Sequence, residues 1–361
     1  FMSMWISNTA TSVMMLPIGM ALVSQFKETT DDAKLGSDFG KALMLAIAYS
    51  ASIGGFATLI GTPPNLVLAG ILEELYQYKI SFVQWMIFGL PTSTVLILIC
   101  WKYLTTYAFK FSSRKLPGGK AEIQKQLSQL GKISHEEKLV AIVFGLTAIA
   151  WISRSLIQKL IPGIDDTAIA ITFGVLLFAI PAKDKKRNLI TWEEAVKLPW
   201  GVILLFGGGL ALAKGFSQTG LAEWIALQLG QLNGVSLLLL IFILVASVNL
   251  LTEITSNLAT TAMLLPVLAP MALSFDLHPL MIMVSVTIAA SCAFMLPVAT
   301  PPNAVVFGSG YLRIPDMVRS GAIMNVVSIL LITIVTFLLL PLVWDIDPNR
   351  FPETFRAFLQ P

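Results

Sequence analysis

Apolar segments long enough to cross a membrane recur along the whole chain. Residues 321–344 are the clearest case, because they contain no charged side chain. A bilayer core of about 30 Å needs about 20 apolar residues in helical form. Only 12% of all residues are charged, against roughly a quarter in soluble domains. The sequence therefore predicts an all-α polytopic membrane protein. Its candidate membrane segments are 10–24, 41–60 with 66–78, 82–108, 139–161, 166–181, 199–230, 236–273, 278–297 with 304–312, and 321–344.

Charge, cysteine and histidine content narrow the function classes. The net charge of +3 is too small to indicate a nucleic-acid partner. Cys100 and Cys292 both lie in apolar runs, so we expect small buried side chains and no disulfide or metal site. His135 and His278 lie in connections without an obvious partner, and we interpret both as surface histidines.

Two charged loops predict the sidedness of the protein. Loops 109–138 and 182–198 both carry an excess of Lys and Arg, and two predicted spans separate them, so they lie on one face. Short loops rich in Lys and Arg stay in the cytoplasm. We therefore expect both loops to be cytoplasmic and the protein to be a multi-pass component of the plasma (inner) membrane.

Two polar motifs occur twice, in the same order. Without a gap, "SMWISNTATSVMMLP" (3–17) and "TEITSNLATTAMLLP" (252–266) are identical at seven of fifteen positions. After each copy comes a Thr-Pro-Pro-Asn, in "IGTPPN" (60–65) and in "VATPPN" (298–303). Polar signatures repeated at matching places indicate an internal duplication.

The Thr-Pro-Pro motifs predict breaks in membrane helices. Proline lacks an N–H and restricts the residue before it, so a helix cannot continue through Pro-Pro. Freed backbone groups at membrane depth are tolerated only where they are buried or line a polar cavity. Paired breaks in two halves of a chain are the best sequence indication of a transporter binding site. Carbonyl groups and the hydroxyls of Thr62 and Thr300 suit a hard cation such as Na⁺, whereas exposed N–H groups suit an anion.

The Ser-Asn motifs predict a second kind of interruption. Ser, Thr and Asn favour turns and helix N-caps over helix interiors. In segment 236–273, the arms 236–251 and 258–273 are each too short to cross comfortably. The segment is therefore either one broken span or a hairpin that enters and leaves on the same side. Glu253, at the tip, is either a functional ionisable group or an anchor through buried hydrogen bonds.

These motifs resemble the divalent anion/sodium symporter family, the di- and tricarboxylate transporters. The matching residues are "SNT" at 7–9, "SNL" at 256–258, "GTPPN" at 61–65, "ATPPN" at 299–303, and "LFGGGLALAKGFSQTGL" at 205–221. The resemblance implies two inverted repeats with re-entrant hairpins and discontinuous helices. Residues 1–108 would be the C-terminal part of the first repeat, with a hairpin end, a broken helix 41–78 and a helix 82–108. After the cytoplasmic loop 109–138, residues 139–361 would form the second repeat, with hairpin 236–273, broken helix 278–312 and final helix 321–344.

The same resemblance implies where ligands bind. One sodium site would use Ser3, Ser7, Asn8 and the carbonyl near Gly61, and the other Thr252, Thr255, Asn257 and the carbonyl near Ala299. The substrate carboxylates would be held by Ser7, Asn8, Thr9, Thr62, Pro63, Ser256, Asn257, Thr300 and Pro301. Neither motif contains an arginine or lysine, so the positive charge beside the substrate would come from Na⁺.

The chain departs from the family pattern in two places. Family members carry further helices before the first Ser-Asn-Thr, so we expect residues 1–361 to be the C-terminal part of a longer polypeptide. The second motif reads Ser-Asn-Leu, and Leu258 stands where the family has threonine. We expect this to remove one hydroxyl contact and to shift the preference among carboxylates.

The resemblance implies a secondary active transporter rather than an enzyme. It would couple Na⁺ to the uptake of succinate, malate, fumarate or citrate, as a homodimer in the lipid bilayer. The alternatives are a sodium-independent carboxylate exchanger or a sulfate transporter of the same fold. A cation/proton antiporter is more distant and would use Glu253. A membrane hydrolase is disfavoured, because the spans hold no His-Glu pair and no nucleophile with a plausible base.

Overall fold

The computed structural model describes residues 1–30, 32–109, 131–183, 186–197 and 235–359, with isolated residues between 123 and 128 and between 200 and 224. The described residues are helical, and their one β-type contact is an isolated bridge between Pro181 and Asn188. Much of the predicted loop 109–138 and of the predicted span 199–230, with most of the motif 205–221, lies outside the described residues.

The helices are numbered here in chain order. They are α1 (Asn8–Thr29), α2 (Ala33–Gly55), α3 (Pro63–Tyr76), α4 (Phe82–Lys102), α5 (His135–Ile152), α6 (Arg154–Ile157), α7 (Asp166–Ala179), α8 (Trp192–Ala195), α9 (Leu237–Leu251), α10 (Asn257–Ser274), α11 (Pro279–Ala290), α12 (Pro301–Phe307), α13 (Ile314–Trp344) and α14 (Glu353–Leu359). A short 3-10 helix (Met2–Met4) precedes α1, and a π-helical segment (Tyr103–Ala108) continues α4.

Four of the described helices are long and apolar enough to cross a membrane: Asn8–Thr29, Phe82–Ala108, Asn257–Ser274 and Ile314–Trp344. The helices α7, α9 and α11 are apolar but shorter. This composition confirms the predicted fold class, an all-α polytopic membrane protein.

Both Thr-Pro-Pro motifs coincide with a break between two helices. The first break separates Gly55 from Pro63, and the second separates Ala290 from Pro301. In each case the threonine is the N-cap and the first proline opens the new helix, where its missing N–H is not needed. The second Ser-Asn motif also lies between two helices, since α9 ends at Leu251 and α10 begins at Asn257.

Two helices begin earlier than the apolar runs indicate. The helix α2 begins at Ala33 because the Asp32 carboxylate accepts hydrogen bonds from the N–H groups of Lys34 and Leu35. The helix α13 begins at Ile314, where the carboxylate of Asp316 accepts a hydrogen bond from the N–H of Arg313. Capping side chains thus extend both helices into polar sequence.

The chain divides into two compact units. One comprises residues 81–83 and 120–200, where α5 packs against α7. In this unit Phe82 stacks on Trp151 with ring centroids 5.2 Å apart. Asp166 joins the two helices, because its carboxylate pairs with Arg154 at 3.1 Å and its carbonyl accepts from Trp151 Nε1.

The other unit comprises residues 1–80, 84–119 and 201–361 and contains all four motifs. Helices of its two halves pack against each other. The helix α1, at the first Ser-Asn motif, packs on α12 of the second half, and α10, at the second Ser-Asn motif, packs on α3 of the first half. Each of these helices also packs on the discontinuous helix of its own half, α1 on α2 and α10 on α11. This reciprocal pattern supports the duplication inferred from the sequence.

Contacts at the two ends of this unit give the direction of its helices. At one end Lys41, near the start of α2, pairs with Asp316 at the start of α13, at 2.8 Å. At the other end Tyr76, at the end of α3, stacks on Phe355, and Asp276, just before α11, pairs with Arg356. The pair α2–α3 therefore runs towards the end at which α11 begins, so the two discontinuous helices run in opposite directions. This relation is the one that inverted repeats require.

One of the two histidines is not where the sequence analysis placed it. His135 is exposed at the start of α5, as predicted. The prediction of a surface residue is wrong for His278, whose exposed fraction is 6%. His278 caps α11 by accepting from the N–H of Leu280, and its ring packs edge-on against Phe355.

Candidate functional site

Three oxygen atoms meet at the tip of the first repeat. The hydroxyl oxygen of Ser3 lies 2.6 Å from Asn8 Oδ1 and within hydrogen-bond distance of the Ala51 carbonyl. Ser3 is buried and Asn8 is half-buried. The cluster thus joins the 3-10 helix, the start of α1 and the last turn of α2.

The second repeat repeats this arrangement. The hydroxyl oxygen of Thr252 lies 2.8 Å from Asn257 Oδ1 and 2.9 Å from the Ala290 carbonyl. Thr252 and Asn257 are the residues aligned with Ser3 and Asn8 in the repeat, and Ala290 ends the first half of the second broken helix. Two short motifs of different composition therefore form two polar clusters with the same arrangement of oxygen atoms.

The atoms of each cluster favour a cation. In each cluster a serine or threonine hydroxyl lies between an asparagine side-chain oxygen and a backbone carbonyl. A hydroxyl, an amide oxygen and a backbone carbonyl are ligands that suit a hard cation.

Glycines bring the first cluster close to the helix break. A Cβ built on Gly55 would lie 2.3 Å from Asn8 Oδ1, so the Asn8 side chain rests directly on the backbone of α2. A Cβ on Gly61 would lie 2.2 Å from the Gly55 carbonyl and 3.1 Å from Met4 Cα. The predicted sodium-site residue Gly61 therefore lies next to this cluster, although the carbonyl that contacts Ser3 is that of Ala51.

Two of the predicted sodium-site side chains have other contacts. Ser7 Oγ caps α1 by accepting from the N–H of Ala10. Thr255 Oγ1 donates to the Leu251 carbonyl and lies 2.6 Å from Thr260 Oγ1. Ala299 is buried, and its N–H donates to the Leu296 carbonyl.

The predicted substrate-binding residues divide into exposed and buried positions. Ser7, Thr9, Pro63, Ser256 and Pro301 are exposed, whereas Thr62 and Thr300 are buried as the N-caps of α3 and α12. The exposed positions lie at the N-terminal ends of α1, α3, α10 and α12. The N–H groups at a helix N-terminus attract anions, so the three longer of these helices, α1, α3 and α10, contribute positive potential beside the exposed residues.

Leu258 does not occupy an environment like that of Thr9. Thr9 is exposed, whereas only 9% of Leu258 is exposed. The leucine therefore packs into the protein and leaves the open side of the second tip to Ser256 and Asn257. The predicted loss of a hydroxyl contact remains a prediction.

Glu253 is held by a run of backbone N–H groups. Its carboxylate accepts from the N–H of Phe294, Met295 and Leu296 at 2.8 to 3.2 Å, and from Asn325 Nδ2 at 2.7 Å. Only 3% of the residue is exposed. Charge-assisted hydrogen bonds of this number compensate the burial of a carboxylate, and they tie the hairpin tip to the break in the second repeat.

Four residues that shape the site were not identified as site residues from the sequence. Ala51 and Ala290 contribute backbone oxygens, which any residue type would provide. Asn65 and Asn303 are fully buried and donate to carbonyls of the breaks. Their place at the end of each Thr-Pro-Pro-Asn was the signal that could have identified them.

An apolar cavity on these helices lies away from the motifs. It has a volume of about 580 Å³ and is lined by apolar side chains of α1, α2 and α4, among them Phe39, Leu43 and Trp101. It contains none of the predicted site residues.

Known proteins are similar to this chain along almost its entire length. Residues 1–344 match the family described as the sodium:sulfate symporter transmembrane region. The chain is 47% identical to the sodium-dependent dicarboxylate transporter SdcS of Staphylococcus saprophyticus over 358 residues, which is 97% of this chain and 69% of that protein. It is 45% identical, with the same coverage, to the protein of the same name from Staphylococcus aureus strain USA300.

Proposed function

The chain belongs to the sodium:sulfate symporter family, and on this basis we propose that it is a secondary active transporter that couples Na⁺ influx to uptake of a dicarboxylate or tricarboxylate. Succinate, malate, fumarate and citrate are the candidate substrates. Family membership makes the chain a transporter rather than an enzyme and agrees with the resemblance drawn from its motifs. The names of its relatives favour dicarboxylates among these substrates.

The observation that carries the proposal is the pair of matched oxygen clusters. Ser3 with Asn8, and Thr252 with Asn257, each meet a carbonyl at the end of a half-helix. Each cluster would hold one Na⁺, so Na⁺ is the coupling ion. Ser7 and the carbonyl near Gly61 would complete the first site, and Thr255 and the carbonyl near Ala299 the second.

The substrate would lie on the open side of the two tips. The exposed residues Ser7, Thr9, Pro63, Ser256 and Pro301 would hold its carboxylates, together with Asn8, Asn257 and the threonines Thr62 and Thr300. Neutral hydroxyls, amides and helix N-termini bind the carboxylates, and bound Na⁺ neutralises them. Because Asn8 and Asn257 belong to both sites, occupation by Na⁺ would orient the same side chains that meet the substrate.

Transport would follow from movement of the unit that carries the four motifs. Binding near the midplane between two repeats, with rocking of one part against another, is the general scheme for transporters of this architecture. We propose that the protein acts as a homodimer in the plasma membrane, with loops 109–138 and 182–198 in the cytoplasm.

Two alternatives use the same fold. A sodium-independent carboxylate exchanger would not need the oxygen clusters, and a sulfate transporter would need a smaller substrate space. The antiporter alternative would use Glu253 as its ionisable group. In this structure Glu253 accepts hydrogen bonds from three backbone N–H groups and from Asn325, so its contacts join the tip to the break.

Uptake into proteoliposomes tests the proposal. Labelled succinate is supplied to the reconstituted protein with and without an inward Na⁺ gradient, for the wild type, Asn8→Ala and Asn257→Ala. Asn349→Ala makes the same chemical change at an exposed position outside the motifs and serves as the control.

We expect the gradient to drive accumulation in the wild type and the control. Each motif variant should raise the Na⁺ concentration for half-maximal uptake by about tenfold, equivalent to about 1.4 kcal/mol. Uptake by the wild type that ignores Na⁺ would remove the symport proposal. Variants that behave like the control would remove the site assignment.

A further inference from the structure

The asparagine of each Thr-Pro-Pro-Asn motif fixes one carbonyl of the helix break before it. Asn65 Nδ2 donates to the Thr58 carbonyl at 2.7 Å. Asn303 Nδ2 donates to the Leu296 carbonyl at 3.0 Å and to the Ala293 carbonyl at 3.2 Å. Thr58 and Leu296 occupy the same position relative to their motifs, since each lies four residues before the motif threonine. Both repeats therefore orient the same carbonyl in the same way.

This same position also donates a hydrogen bond to the hairpin tip in both repeats, but with the roles of side chain and backbone exchanged. In the first repeat the hydroxyl of Thr58 donates to the backbone carbonyl of Met4. In the second repeat Leu296 has no hydroxyl, and its backbone N–H donates to the carboxylate of Glu253 at 3.0 Å. Met4 and Glu253 are aligned in the repeat. In the first repeat a side chain therefore donates to the backbone of the tip, and in the second repeat the backbone donates to a side chain of the tip.

The exchange of side chain and backbone explains why the second tip carries the carboxylate of Glu253 where the first has Met4. A second repeat with Leu296 and an apolar residue at position 253 would lack the tie at this position, although Asn249 would still donate to the Cys292 carbonyl and Thr252 to the Ala290 carbonyl. Glu253 restores this tie and binds three consecutive N–H groups that the break leaves without helical partners. The asymmetry between Met4 and Glu253 therefore follows from the asymmetry between Thr58 and Leu296.

We propose that these two sets of residues are latches: Asn65, Thr58 and Met4 in the first repeat, and Asn303, Leu296 and Glu253 in the second. Each latch is a positioning device that holds the tip against the break. Met4 directly follows Ser3, and Glu253 directly follows Thr252, so each latch fixes the hydroxyl of the adjacent oxygen cluster. The inference rests on the proposed sodium-coupled function, because it assigns the latches to the geometry of the two cation sites.

The first arm of the test uses the hydroxyl of Thr58. Thr58→Val removes the hydroxyl while keeping the shape, and Thr58→Ser keeps the hydroxyl. Both are purified, checked for unchanged melting temperature, and assayed for succinate uptake over a range of Na⁺ concentrations. We expect Thr58→Val to raise the Na⁺ concentration for half-maximal uptake at least about fivefold and Thr58→Ser to change it less than about twofold. A merely structural role would lower the maximal rate of both without separating their sodium dependence.

The second arm transplants the latch of the first repeat into the second. Glu253→Met alone should raise the half-maximal Na⁺ concentration at least about tenfold, and Leu296→Thr alone should change it less than about twofold. The double variant Glu253→Met with Leu296→Thr gives the second repeat the residues of the first, and we expect it to recover much of the lost sodium affinity. Uptake in Li⁺ is measured in parallel, because a displaced cation site changes the ratio of Na⁺ to Li⁺ dependence.

Each outcome separates the latches from the function they rest on. A Thr58→Val protein with the sodium dependence of Thr58→Ser overturns the first latch. If the double variant needs as much Na⁺ for half-maximal uptake as Glu253→Met alone, the latch proposed for the second repeat is overturned. Wild-type uptake that ignores Na⁺ overturns the proposed function itself, and this result is read before any variant is made.

Discussion

Gly55 is the residue on which the Asn8 side chain rests, and it leaves no space for a methyl group. A Cβ at this position would lie 2.3 Å from Asn8 Oδ1 and 2.8 Å from its Cγ. We predict that Gly55→Ala displaces Asn8 from Ser3 and raises the Na⁺ concentration for half-maximal uptake by about tenfold or more. Overpacking of this kind typically costs about 1–3 kcal/mol. Uptake in proteoliposomes over a sodium series measures the effect.

Gly145 provides the matched control for Gly55. It also lies within a helix, but a Cβ built on it meets nothing within 4 Å. Gly145→Ala should therefore keep the wild-type sodium dependence. Equal sodium dependence of the two variants would mean that the position of Asn8 does not govern cation binding.

The residue types of the site were accessible from the sequence, but their partners were not. Repetition of the Ser-Asn motif indicated Asn8 and Asn257, which the structure places in matched oxygen clusters. The acceptors Ala51 and Ala290 act through backbone carbonyls, and their identity is set by where each half-helix ends. The family resemblance assigned Thr255 to the same sodium site as Thr252, and this assignment stays a prediction. The Thr255 hydroxyl lies 2.6 Å from that of Thr260, a contact across the tip that the motif comparison did not indicate.

The helix α14 fastens one end of the unit that carries the motifs. Phe355 stacks on Tyr76 with ring centroids 4.5 Å apart and planes 12° apart, and it also contacts the ring of His278. We predict that Phe355→Ala lowers the stability of the purified protein by about 3 kcal/mol, the lower end for loss of a buried phenylalanine. A thermal unfolding assay in detergent measures this, and we expect a lower melting temperature with an unchanged sodium dependence of the remaining transport.

Glu353→Ala is the control in the same helix. Glu353 is exposed, and its pair with Arg350 spans 3.9 Å between two exposed side chains. Such pairs contribute little to stability, so the melting temperature should stay within about 1 °C of the wild type. A comparable loss in both variants would show that α14 is sensitive to any substitution and that the stacking on Tyr76 is not the cause.

At the scale of elements, the sequence predicted where helices are interrupted better than where helices begin. Pro-Pro leaves a helix no way to continue, so both breaks occur where the sequence required them. The starts of α2 and α13 were placed too late because apolar runs mark the part of a helix in the membrane, whereas Asp32 and Asp316 extend the helices into polar sequence. His278 was assigned to the surface because only tertiary packing by residues 348–355 buries it.

At the scale of the whole molecule, the direction of the two discontinuous helices depends on contacts that are distant in sequence. One end of the unit contains Lys41 and Asp316 in a pair, and a polar pocket of about 490 Å³ that Lys34 and Tyr103 also line. The segment after Tyr103 leads into loop 109–138, which the distribution of Lys and Arg predicts to be cytoplasmic. The opposite end contains Tyr76 and Asp276. The turn between α1 and α2 and the turn between α10 and α11 thus lie at opposite ends.

This arrangement predicts opposite labelling of the two turns. Lys34→Cys, at the start of α2, should react with a membrane-impermeant maleimide only from the cytoplasmic side, and Ser274→Cys, at the end of α10, only from the outer side. Both positions are exposed, whereas the native Cys100 and Cys292 are 4% and 0% exposed and give little background. Right-side-out and inside-out vesicles provide the two accessible faces. Labelling of both cysteines from one side would mean that the repeats run parallel, and the two oxygen clusters could then not face each other across the midplane as the proposed transport cycle requires.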